Sequence, residues 1–342
     1  VSQISISLAS RSRICTIFDE WRDMKMNSMY LAVGYNCNHR CYFCPCGKKE
    51  GKAKAAPTEQ MIEAIETGIQ NNGIEYITLS GGEPILHPGF HDILEYCVSK
   101  KLCVTILSNG DILHKESNVH KYFDNIDPSY FNITTAIHSD QPELHDRVTG
   151  VKGSYCRTVK GLKNLIPLRI PFTVKQVISK WNYKRLPEFV DFVHREYGPF
   201  ASLTLCGMDF CGMNRDEIAE VAIAYKEIGQ YLEKALDIVL SIRQQFGGFP
   251  QVTVADLPLC CVDPYYWGFF TKVSRGKLSK YSAPKQSDGE VSSSEEIVND
   301  CDVYFKECGS CCVSDFCPGV WNSAYQYFGE NAVRALKPQK IE

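Results

Sequence analysis

The sequence contains no run of apolar residues near the about 18–20 that a membrane-crossing helix requires, so no such span is expected. It also has little excess charge. Lys and Arg number 37 against 40 Asp and Glu, for a formal net charge of −3, with no basic cluster. That removes the electrostatic case for nucleic-acid or membrane-surface binding. The N-terminal stretch VSQISISLASRSRICTIFDEW has neither a long apolar core nor a small-residue cleavage site. This argues against secretion and for a cytoplasmic chain. What remains is ordinary globular composition, 44% hydrophobic and 23% charged, over 342 residues. Such a chain builds either one barrel-sized domain or two smaller ones.

Cysteine is present in excess, at 17 residues. In a reducing compartment isolated cysteines serve as small buried hydrophobes, a reading that suits Cys97, Cys103 and Cys156. It does not suit two tight groups, at 37–46 and 301–317. An odd total also argues against a complete disulfide framework. Metal or cluster ligation is the expectation for both groups.

From Met29 the chain alternates strand-like and helix-like segments. MYLAVGYN reads as a strand running into the first cysteine group. TEQMIEAIETGIQNNG has apolar residues at Met61, Ile62, Ile65 and Ile69, with Thr58 as N-cap and Gly73 as terminator. EYITLSGGEP, CVTILSNG, YFNITTAIHS, IPFTVKQVIS and SLTLCGMDF read as further strands. Helices are expected at FHDILEYCVSKK, near 112–124, at YCRTVKGLKNLI and at 187–197. Six such repeats predict an α/β fold with a parallel sheet, doubly wound or a partial barrel, with helices outside. Ligands then gather at the C-terminal strand ends, where the cysteine loop, GGEP, SNG and HSD all fall. A long helix is expected from Asp216 to Gln245. Residues 250–342 read as loop-rich, with YSAPKQSDGEVSSSEE as a mobile excursion. The expected domains are an extension over 1–28, a barrel over 29–247 and a cysteine-rich unit over 248–342.

The first group, GYNCNHRCYFCPCG, places Cys37, Cys41 and Cys44 in a C-x3-C-x2-C triplet. Three thiolates suit a [4Fe–4S] cluster that keeps one iron free of protein ligands. Zinc competes, with Cys46 or His39 as a fourth ligand, although the spacing is unusual for zinc. A disulfide is the weakest alternative.

The triplet, with Phe43 at its aromatic position and LSGGEP after the second strand, resembles the radical S-adenosylmethionine (SAM) superfamily over about residues 29–215. The resemblance implies a partial (β/α)6 barrel. It also implies SAM chelating the open iron of a [4Fe–4S] cluster held by Cys37, Cys41 and Cys44, and cleavage to a 5′-deoxyadenosyl radical. Gly81, Gly82 and Glu83 would then meet the SAM amino group, with Ser108, Asn109, His138, Ser139 and Asn182 as further SAM contacts. In this reading Cys46 is not a ligand.

The second group, CGSCCVSDFC, resembles the auxiliary-cluster extensions called SPASM or twitch domains. The resemblance implies one auxiliary [4Fe–4S] cluster on Cys260, Cys308, Cys311 and Cys317, with Cys261 and Cys312 as alternatives. A four-cysteine zinc site competes. Cys206 and Cys211 are candidate hydrogen-atom donors, a buried structural thiol being the plainer reading; Cys301 is unassigned. The function implied is modification of a ribosomally made peptide by crosslink, thioether or epimerisation. PLC upstream of C-x2-C-x5-C also resembles maturases of His-Xaa-Ser repeat peptides. Alternatives are a dehydrogenase acting on a small molecule, a non-catalytic iron or zinc protein, and, disfavoured by charge, RNA modification. An external flavodoxin- or ferredoxin-type electron donor is implied, with neither nucleic acid nor membrane as partner.

Overall fold

The computed structural model describes residues 27–44, 46, 55–246, 251–271, 280–281, 303–329 and 332–337. Nearly all of the expected N-terminal extension and polar excursion, together with Cys301, lies outside the described residues.

Seven parallel strands run in chain order across one sheet: β1 (Ser28–Ala32), β2 (Tyr76–Ser80), β3 (Cys103–Leu107), β4 (Phe131–Ala136), β5 (Phe172–Val177), β6 (Ala201–Cys206) and β7 (Val252–Ala255). A two-residue strand, β8 (Lys280–Tyr281), pairs parallel with the free edge of β1. The order without reversal places every strand's C-terminal end on one rim. The sequence led to six strands. The seventh is four residues long and continues the sheet past residue 247, where the expected barrel ended.

The strands owe their two faces to strict alternation. Leu31, Ile77, Leu79, Val104, Ile106, Ile133, Val174, Leu203, Leu205 and Val254 are at most 2% exposed and form one apolar face. Register puts Tyr30, Thr78, Thr105, Asn132, Thr173, Lys175, Thr204, Cys206 and Thr253 on the other. Helices cover the apolar face: α1 (Thr58–Asn72), α2 (Phe90–Ser99), α3 (Glu116–Phe123), α4 (Pro142–Thr149), α5 (Ser154–Leu165), α6 (Leu186–Tyr197), α7 (Arg215–Val221) and α8 (Tyr225–Phe246); α9 (Asn322–Phe328) lies instead against Phe210 and Tyr225. The polar face, mostly half-buried, is the inner one of an open barrel.

Four expectations change. Thr58 is the first helical residue of α1 and Pro57 its cap, with no side-chain cap bond. Pro at this position presets the helical φ and has no amide to satisfy. Gly73 ends that helix as expected, in the left-handed region, its amide on Gly68 and Ile69 carbonyls. The single helix expected over 216–245 is two, because Lys180 N donates to Val221 O at 2.7 Å and takes the carbonyl that a continuous helix would use. Helix α4 was not anticipated: its buried residues are His145, Val148 and Thr149, so its inward face shows little apolar period. Of the three cysteines expected to be buried, only Cys97 is. Cys103 lies on the half-open inner face and Cys156 on the solvent side of α5.

Phe172, 1% exposed on β5 and edge-on to Tyr197 at 5.4 Å, fills the core beneath the polar face. Phe172→Ala is expected to cost about 3–5 kcal/mol, read as a lower denaturation midpoint at unchanged slope.

Candidate active site

The loop after β1 is held by backbone. Gly82 N donates to Gly34 O at 2.7 Å and Glu83 N to Asn36 O at 2.8 Å, so the GGEP turn lies directly on the start of the cysteine loop. Both glycines are required by that crossing. Gly81 has φ +115°, and a Cβ there would meet Gly34 O at 2.1 Å; at Gly82 it would meet Asn36 O at 2.3 Å. On its other side the loop is pinned to the end of α4, through Arg40 N to Thr149 O and Tyr42 N to Val148 O, both 2.8 Å.

Within this frame Cys37, Cys41 and Cys44 are half-buried and close enough for each charge to perturb the others. Burial, then neighbouring charge from Glu83 and Cys44, pushes the Cys37 thiol up to about 11; burial and the other two cysteines push Cys41 to about 12. Three clustered thiols, two of which burial holds protonated, are a donor set for a cation, whose charge holds them as thiolates. Cys37 Sγ accepts from His39 N at 3.4 Å and from Asn109 Nδ2 at 3.8 Å.

Glu83 is 4% exposed and joins two turns. Its Oε1 accepts from Ser108 Oγ (2.8 Å) and Ile85 N (3.2 Å), and its Oε2 from Asn109 N (2.7 Å). Three of about four lone-pair positions are filled, leaving one direction for a ligand donor. Burial raises its pKa to about 7 despite those bonds.

A buried acid that no motif marks lies beside this loop. Asp111 accepts from Arg157 Nε at 2.9 and 3.0 Å and meets His39 Nε2 at 3.1 Å. This triad anchors the residue between Cys37 and Cys41 to α5. Arg157 and Asp111 are 46 residues apart, so neither could be singled out from spacing. Asp111 engages Nε2 of His39 and so fixes the orientation of its ring.

At the rim of β4, His138 is buried, edge-on to Phe43 at 5.3 Å, and its Nδ1 has no hydrogen-bond partner. Neighbouring His145 is likewise unpartnered at Nε2. Burial first, then surrounding positive charge, keeps both imidazoles neutral at physiological pH; His145 falls to about 3. Orphaned buried nitrogens are uncommon and fit a bound ligand. Ser139 Oγ accepts from Gln141 N. Asn182 uses both side-chain N–H groups on the His138 and Val177 carbonyls and accepts from Ser179 N, so it holds two strand ends together.

Further along the rim, Lys175, Cys206 and Asp256 sit together at the ends of β5, β6 and β7. Register places Lys175 beside Thr204 and Cys206 beside Ala255. Among the described inner-face strand positions Lys175 is the one charged side chain. Its ammonium bonds the Cys206 sulfur, and Asp256 has a left-handed φ of +58° that a non-glycine residue adopts at a cost. Lys175 and Asp256 carried no motif. Cys206 is 1% exposed, whereas Cys211 is exposed on the turn beyond.

Cys260, Cys308, Cys311 and Cys317 line one small cavity, and neither Cys261 nor Cys312 lines it. Burial, then the neighbouring cysteines, raises Cys260 to about 11, and Cys308 and Cys317 also rise. This donor set fits a cationic iron–sulfur group or zinc.

The Radical SAM superfamily description matches residues 31–193. These residues form a radical SAM domain. Among curated proteins, the subtilosin biosynthesis protein AlbA of Bacillus subtilis is 28% identical over 159 residues, 46% of this chain and 34% of its own length. Fe-coproporphyrin III synthase of Methanosarcina barkeri is 23% identical over 234 residues, 68% of this chain and 55% of its own. The chain thus spans from a third to just over half of these relatives. Of solved structures, anSMEcpe with bound AdoMet shares the fold over 90% of this chain and 93% of its own, with TM-score 0.58 and 13% identity.

The Glu83 carboxyl gives a pH signature. Between its unfolded value of 4.5 and its folded value of about 7, the folded chain holds a proton that the unfolded chain has lost. Stability from this group therefore falls as pH rises through that window. Glu83→Gln is expected to flatten that slope in urea midpoints taken at pH 5, 6 and 7, at a cost of about 1–3 kcal/mol from mispaired donors. An unchanged slope would show that Glu83 is not the buried titrating acid.

Proposed function

We propose that this chain is an enzyme that cleaves SAM reductively and uses the resulting 5′-deoxyadenosyl radical to take a hydrogen atom from a substrate, a ribosomally made peptide. The observation that carries the reading is the three-thiol loop pinned by backbone bonds beneath the Gly81–Glu83 turn. Cys37, Cys41 and Cys44 would hold the [4Fe–4S] cluster, and Cys46 would stay outside it. The cluster and SAM supply the radical chemistry when bound; the protein supplies position.

Each residue then has a task. The remaining lone pair of Glu83, with the Gly81 and Gly82 backbone, meets the SAM ammonium. Asn109 and Ser108 are aimed by their bonds to Glu83. Phe43 and His138 form the apolar and polar walls beside it. The Asp111–Arg157 pair fixes His39 and with it the spacing of the first two cysteines. Lys175 provides a charge for orienting substrate at the inner face, next to Cys206.

The peptide reading is supported by the similarity to AlbA, a bacteriocin biosynthesis protein. The broader match to Fe-coproporphyrin III synthase favours a second reading, in which the substrate is a small molecule. We assign the auxiliary [4Fe–4S] cluster to Cys260, Cys308, Cys311 and Cys317, the four that line one cavity. The proposed division keeps a barrel from residue 29 and a cluster unit after 247, with β7 contributed to the barrel sheet. A flavodoxin- or ferredoxin-type protein supplies the electron, in the cytoplasm.

The test is anaerobic reconstitution with iron and sulfide, then SAM and dithionite, with 5′-deoxyadenosine measured by chromatography. Replacing Cys37, Cys41 or Cys44 by Ala is expected to abolish release, and Cys46→Ala to leave it near the parent rate. Loss of release with Cys46→Ala, at retained iron, would contradict the assignment. Genes beside this one that encode a short precursor would separate peptide from small-molecule substrates.

A further inference from the structure

Every cysteine lining the C-terminal cavity receives a bond from backbone. Cys317 Sγ accepts from Leu259 N at 3.4 Å and Gly319 N at 3.5 Å, and Cys311 Sγ accepts from Leu336 N at 3.4 Å. The backbone of Arg334 bonds Cys260, and that of Phe305 bonds Cys308. Two of these donors belong to one short segment, residues 332–337, about twenty residues after the last cysteine of the group. That segment is fixed from both sides: Leu336 N donates to Cys311 Sγ while Leu336 O accepts from Cys312 N at 2.9 Å. Val333 and Arg334 also line the cavity itself. The Arg334 side chain is exposed, so the segment reaches the sulfurs through its backbone.

The potential of an iron–sulfur group depends on hydrogen bonds to its sulfurs and on its exposure to water. An N–H aimed at a thiolate stabilises the more negative, reduced state. A segment with two such donors and no ligand of its own is placed to set potential rather than composition.

We propose that residues 334–336 are a backbone strap that raises the reduction potential of the group held by Cys260, Cys308, Cys311 and Cys317. This rests on the auxiliary-cluster reading above. It names Leu336 and Arg334, neither of which any motif marked, as positioning residues acting through their amides.

The test uses the full chain, reconstituted anaerobically, with redox titration followed by electron paramagnetic resonance. Leu336→Pro deletes the amide hydrogen, whereas Leu336→Ala keeps it; Arg334→Pro and Arg334→Ala form a second pair. Each Pro variant is expected to shift the auxiliary midpoint to more negative potential. Each Ala variant is expected to leave it in place, and the signal of the first cluster should move in none. An unmoved midpoint in both Pro variants, or equal shifts in Pro and Ala partners, overturns the strap as a tuning element. Loss of the auxiliary irons in both Pro variants also overturns it, because the amides would then serve retention. Iron analysis of the parent separates the two readings. About eight irons per chain upholds the auxiliary cluster, and about four overturns the cluster and the strap together.

Discussion

The crossing of two backbones, Gly34–Asn36 under Gly81–Glu83, is the constraint on which the rest of the site depends. It is made of two hydrogen bonds and two positions where only hydrogen fits in place of a side chain. The crossing fixes where the cysteine loop leaves β1 and where Glu83 enters the interior. From Glu83 the order spreads to Ser108 and Asn109, and from Asn109 back to Asn38 and the Cys37 sulfur. The loop is thus closed on itself through side chains from three strand ends. The glycines therefore have a structural duty toward the loop, and whatever they do for a ligand follows from it.

Electrostatics accounts for the choice of partners. Three thiols and a buried carboxylate lie near one another: Glu83 and Cys44 raise the proton affinity of Cys37, and Cys37 and Cys44 raise that of Cys41. An assembly of that kind is costly in the free protein and is relieved by a bound cation. The same logic holds at the C-terminal cavity, where four sulfurs are surrounded by backbone N–H groups. Between the two sites Ser323 of α9 accepts from Phe210 N and donates to Asp209. This ties the cysteine-rich segment to the turn after β6, next to Lys175 and Cys206.

The strands and most helices were legible because apolar residues on β1–β6 alternate cleanly and the helices between them bury regular stripes. The four-residue β7, the weakly apolar α4 and the break before α8 were not. Each depends on a partner distant in sequence rather than on local pattern. The cysteine triplet and GGEP were legible as motifs. Asp111, Arg157, Lys175 and Asp256 were not, because their significance lies in contacts across strands. The choice of Cys260 and Cys311 over Cys261 and Cys312, open in sequence, is favoured by which thiols face one cavity. Cys211, weighed together with Cys206, lies exposed on the turn, whereas Cys206 is buried beside Lys175.

The central claim is that the first cluster has one iron with no protein ligand and that SAM takes it. The most direct measurement is the electron paramagnetic resonance spectrum of the reduced, reconstituted Cys260→Ala/Cys308→Ala double variant, which isolates that cluster, before and after SAM is added. The expected spectrum has g-values that change on addition of SAM. A cluster signal unchanged by saturating SAM would mean a fully protein-ligated cluster and would contradict it.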